Sequence, residues 1–107
     1  MTETRIEFLT RRAKQLEEAH LAKRKEWDEA ASRHAMALIR LGLRQKELTK
    51  AQVDAELTQI NADEEADKPH IAQLGTDVNH AWEEWMDAVE RLERALAQQD
   101  DANEVRS

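Results

Sequence analysis

Positions 6, 9, 13, 16, 20, 23, 27, 30, 34, 37 and 41 are Ile, Leu, Ala, Leu, His, Lys, Trp, Ala, His, Ala and Leu, an alternating three-four spacing that Lys23 alone breaks outright. Residues at that spacing share one face of an α-helix, and no strand period of two competes with them. Thr4 followed by Glu7 fits a capping box, so the first helix starts near Arg5. Gly42 followed by Leu43 fits a left-handed stop in which Leu43 touches Leu38, so the same helix is expected to end at about residue 41. Its length at 1.5 Å per residue is roughly 55 Å.

Thr49 with Gln52 repeats the capping box, flanked by a Leu48–Val53 staple, and starts a second helix at about 50. Val53, Leu57 and Ile60 line one face of it, and the pattern fades in Asp63-Glu64-Glu65-Ala66-Asp67, giving an end near 66. Pro69 suits a helix's first turn, so a third helix is expected over about 69–98. Its seam runs Ile71, Leu74, Val78, Ala81, Trp82, Trp85, Ala88, Val89, Leu92, Ala95 and Leu96, and its register carries across Gly75. Residues 99–107 lack periodicity and are expected to fray. The expected fold is one all-α domain, a long antiparallel helical hairpin or three-helix bundle with coiled-coil-like packing.

Composition explains why the seam is thin. Leu, Ile, Val and Phe supply 20 of 107 residues, Ala supplies 17, and 36% of the chain is charged. Such a chain buries little large apolar surface, which argues for self-association or a partner. Leu21, Met36 and Ile39 project away from the first helix's seam and are candidate partner contacts. Trp27 falls level with Trp82 in a hairpin, which predicts an aromatic cluster there. Trp82 and Trp85 are also candidate anchors, because Trp is enriched at binding hot spots.

Charge divides along the chain. Residues 1–50 carry 12 basic and 8 acidic side chains, and residues 51–107 carry 4 and 15. Opposite signs favour antiparallel pairing of the first and third helices. Arg11, Arg12, Lys14, Lys23, Arg24 and Lys25 would form a basic stripe, but Glu7, Glu17, Glu18, Glu26, Asp28 and Glu29 interleave with it. No helix-turn-helix spacing and no Tyr or Phe stacking platform accompanies it, so nucleic acid is not an expected partner. An alternative reading takes Glu83, Glu84 and Asp87 as part of an acidic face imitating nucleic acid, as an inhibitor from a mobile element or phage would.

Catalytic chemistry finds little footing. There is no Cys, the serines are Ser32 and Ser107, and Gly42 and Gly75 cannot build a phosphate loop. No catalytic residue, cofactor or metal ligand is assigned. A second alternative is a carboxylate/His metal-binding bundle, resting on Glu17-x-x-His20, which places both groups one turn apart. Asp67-x-x-His70 and Asp77-x-x-His80 repeat the spacing, but His80 falls on a polar flank. His20 and His34 are expected to be hydrogen-bonded interface residues or partly solvated spacers. The charged amino end does not have the form of a secretory signal, and no apolar run approaches a membrane span. The expectation is a soluble cytoplasmic protein, a homodimer acting as an adaptor, small chaperone or regulator of another protein.

Overall fold

The computed structural model describes residues 3–106, with side chains for residues 3–99. The described chain is all-α. Helix α1 spans Arg5–Arg44, a 3-10 turn spans Gln45–Glu47, and helix α2 spans Lys50–Arg106. Both expected start signals operate. The Glu7 amide donates to Thr4 Oγ1 at 3.1 Å. At α2 the box closes from both sides, with the Gln52 amide donating to Thr49 Oγ1 at 3.2 Å and the Thr49 amide donating to Gln52 Oε1 at 2.9 Å. Each bond satisfies a helix-terminal or flanking amide that would otherwise lack a partner.

Contacts divide the chain into two compact units, residues 24–76 and residues 1–23 with 77–107. Each contains a segment of α1 and a segment of α2, packed closely and antiparallel. In the unit of residues 24–76, the chain reverses through the 3-10 turn, and Arg44 forks onto Glu56 with two bonds of 3.3 Å. Farther from the turn His34 Nε2 meets Asn61 Oδ1 at 3.2 Å and Glu64 Oε2 at 3.0 Å. Ala30, Leu41 and Leu74 are buried there. In the other unit Ala13, His20, Val78, Ala88 and Ala95 are buried. At its amino end Arg11 forks onto Glu3 with two bonds of 2.9 Å, and this hydrogen bonding holds the Glu3 carboxyl below the ordinary carboxylate range.

The eleven positions of the α1 seam are the buried and half-buried positions of that helix. Helix α1 nevertheless runs past the expected stop to Arg44. Gly42 has no positive φ, so the left-handed cap is not made. The cause is tertiary: Leu41, one residue before the glycine, is 7% exposed, and Arg44 is tied to Glu56 across the turn. Those contacts favour one more helical turn over a local cap that only Leu43, 81% exposed, would support.

The larger correction concerns the expected second and third helices, over about 50–66 and 69–98, which are one helix. Pro69 lies inside α2. Its seam is unbroken through the acidic run: 53, 56, 60, 64, 67, 71, 74, 78, 81, 85, 88, 92 and 95 are buried or half-buried and follow at steps of three or four. Glu64 and Asp67 are half-buried seam members. Pro69 removes the amide that would bond the Glu65 carbonyl, but both residues are exposed, so water can take the freed acceptor. On the opposite face Ile60, Glu64, Asp67 and Ile71 stay half-buried on either side of the junction, so the helix runs through. At the carboxyl end α2 reaches Arg106 instead of fraying from 99, since Gln98–Arg106 contains neither Gly nor Pro and extending an existing helix costs little. Ser107, the last residue of the expected frayed tail, lies outside the described residues.

Candidate interaction surface

Burial in this chain is inverted in size. Of the seven buried apolar residues, four are alanines, while Phe8, Leu21, Met36, Leu38, Ile39, Leu43, Leu57, Trp82 and Leu96 are exposed among the described residues. Small side chains let the helices approach, and alternate large ones are left outside.

In the unit of residues 24–76, Met36, Ile39 and Leu43 follow one another at three- and four-residue steps. They form an apolar stripe on α1, 44%, 55% and 81% exposed, separate from the seam. The same unit contains an open gap of about 770 Å³, lined by Trp27, Ala30, Ala37, Glu64, Asp67 and Ile71 among others. Its origin is legible in the seam: alanines on α1 face carboxylates and isoleucines on α2, and the carboxylates do not fill the space that apolar groups would. The Trp27 indole is accommodated by Gly75, where a Cβ would stand 3.4 Å from Nε1 and 3.7 Å from Cε2. The expected pairing of Trp27 with Trp82 is therefore replaced by a Trp27–Gly75 contact, because interhelical register, which composition does not set, brings a glycine to that level.

In the other unit Trp85 is half-buried and stacks on His20, with ring centroids 5.6 Å apart and planes at 26°. His20 is 6% exposed, and its Nδ1 has no hydrogen-bond partner among the described residues. The interface placement expected of both histidines holds, but at His20 it rests on the ring stack, whereas His34 is hydrogen-bonded. Glu17 is exposed while His20 faces the seam, so the Glu17-x-x-His20 pair does not converge. Among the described residues no group of three or more His, Cys, Asp or Glu is placed to hold a metal ion.

Trp82 and Leu21, exposed at 49% and 53%, also belong to this unit. Glu83, Glu84 and Asp87 are exposed on α2, but two of the three are engaged within the helix, Glu84 with His80 Nε2 at 2.8 Å and Asp87 with Arg91 Nε at 3.1 Å. Glu90 meets Arg94 at 3.5 Å in the same way. A groove of about 390 Å³ lies between Phe8, Arg12 and Leu16 on α1 and Glu84, Ala88 and Arg91 on α2. Among the described residues no helix is long and apolar enough to cross a membrane. Exposed apolar residues that the sequence reading did not single out include Leu43 and Leu96. Leu43 was assigned to a helix stop, and Leu96 was counted within the seam that it only flanks. Comparison with protein-family models, with characterised proteins and with solved structures finds no match for this chain.

Proposed function

We propose that this chain is a non-enzymatic protein-interaction module, an adaptor, small chaperone or regulator, that binds through the uncovered faces of its helices and self-associates as a homodimer. The observation that carries the reading is the inverted burial: an alanine-rich seam inside and, among the described residues, nine large apolar side chains outside. Apolar residues scattered singly on a surface mean little, but a stripe at helical spacing is what a second helix packs against. Met36, Ile39 and Leu43 supply such a stripe, and burying each leucine-sized side chain is worth about 1.5–3 kcal/mol. Charged flanks would then set orientation and register more than affinity.

The acidic-mimic alternative is not favoured, because Asp87 and Glu90 are each paired with an arginine of their own helix. A phosphate-like row needs uncompensated charge. The test is glutamate at Met36 and Ile39 together. The expected result is retained helicity with loss of self-association or of binding to the physiological partner. Unchanged association of both kinds would refute this assignment of the surface.

A further inference from the structure

We propose that the gap between α1 and α2 in the unit of residues 24–76 is a binding site for an amphiphilic organic cation, an ammonium head carrying an apolar chain. This goes beyond the helix-face reading above and does not rest on it. The gap measures about 770 Å³ and is walled by Trp27, Ala30, Ala37, Ile60 and Ile71 among others. Its size and its largely apolar walls are those of a small-molecule site, in which a few polar groups fix the orientation of the ligand.

Those polar groups are carboxylates on one wall. Ile60, Glu64, Asp67 and Ile71 are successive half-buried seam positions of α2, so two acids stand between two isoleucines. The carboxylates at the gap differ in their partners. Asp63 accepts from the Gln59 side-chain amide at 2.8 Å. Glu64 meets His34 Nε2 through Oε2 at 3.0 Å. Asp67 has neither a hydrogen bond nor an ion pair among the described residues. A carboxylate drawn partly out of water without a partner is unfavourable, and a cation in the gap relieves it. The cations already at the gap do not serve Asp67: Lys68 is held by Glu65, and Arg33 is exposed and makes no ion pair among the described residues. From 51 to 67 α2 carries six acidic and no basic side chains, so an anionic ligand is repelled. The length of the ligand follows from the helix. Trp27 lies against Gly75, and the rise from Asp67 to Gly75 at 1.5 Å per residue is about 12 Å. A ligand whose head pairs with Asp67 therefore reaches the indole with an apolar chain of that length, running past Ile71.

Titration of the full chain with octylammonium, octanol and octanoate below their micelle concentrations tests this, followed by Trp fluorescence with helicity recorded at each step. The three probes share one chain and differ in the charge of the head. The expected result is a saturable response to octylammonium that Trp27→Phe removes, binding of octanol at least tenfold weaker, and none of octanoate. Asp67→Asn should weaken octylammonium about tenfold and leave octanol unchanged, which a general folding defect would not do. Asp63→Asn alters an exposed carboxylate already bonded to Gln59 and should change neither by more than about twofold. Three probes binding alike would show simple partition into a thin core and overturn the cation site, as would equal affinity for octylammonium in the natural chain and Asp67→Asn. The absence of a saturable response to any probe would overturn it too, showing that the gap holds water alone.

Discussion

Gly42→Ala separates two accounts of where α1 ends. A left-handed cap at residue 42 would make alanine costly, because an L side chain is strained at positive φ. In the structure Gly42 is helical, and a Cβ built on it meets nothing within 4 Å. Alanine then gains the full difference in helix propensity, about 0.8–1.0 kcal/mol, with no steric offset. With a urea dependence of roughly 1–2 kcal/mol/M, the unfolding midpoint should rise by about 0.5–1 M at unchanged slope. The assay is urea unfolding followed by circular dichroism at 222 nm, at one fixed protein concentration, because association would otherwise contribute. Gly75→Ala provides a second reading of the same quantity. Its new methyl would stand 3.4 Å from Trp27 Nε1, ordinary contact distance, so it should stabilise by at least as much as Gly42→Ala and move Trp fluorescence as well. The sites are independent, and the double variant should gain about 2 kcal/mol. A loss of about 1 kcal/mol at Gly42 would refute the continuation of α1 to Arg44.

Three further perturbations probe other features. Pro69→Ala restores the amide that the Glu65 carbonyl lacks within α2 and should stabilise by about 2–3 kcal/mol in the same urea assay; no gain would mean that the helix is interrupted there. Thr49→Ala removes one of the two bonds of the α2 capping box and should cost about 1 kcal/mol, read as a lower thermal midpoint. His20→Leu removes a buried unpartnered nitrogen, worth about 1–3 kcal/mol, and loses a ring stack worth about 0.5–1.5 kcal/mol, for a net gain of about 1 kcal/mol by calorimetry. A clear loss there would show that the imidazole is satisfied in solution.

The local grammar of this chain is readable from its residues, and its long-range register is not. Eleven seam positions of α1 and both capping boxes follow from spacing and side-chain chemistry, because each depends on residues within one or two turns. The junction at 67–69 misleads for a physical reason. Acidic residues at 64 and 67 look like the end of an apolar face, and Pro69 looks like a start. Half-buried carboxylates beside an open gap keep access to water, and a proline on the solvent side frees a carbonyl that water can serve. Gly42 misleads because a capping motif is a local preference of about 1 kcal/mol, and the burial of Leu41 with the Arg44–Glu56 fork outweighs it. The Trp27–Gly75 and His20–Trp85 contacts depend on how the helices slide past each other. Met36, Ile39 and Leu21 are legible as outward apolar groups because they lie off the α1 seam, whereas Trp82, counted with the seam of the expected third helix, lies on its flank and is exposed.

The central claim is that the helix faces left open by the pairing of α1 with α2 are binding surfaces. Light scattering on a sizing column across a concentration series, with helicity recorded on the same samples, tests it most directly. The account predicts a dimer whose mass falls on dilution while its helicity is retained. A chain that stays monomeric, fully helical and cooperatively folded at every concentration would contradict it, showing that the thin seam suffices and that the open faces need no cover.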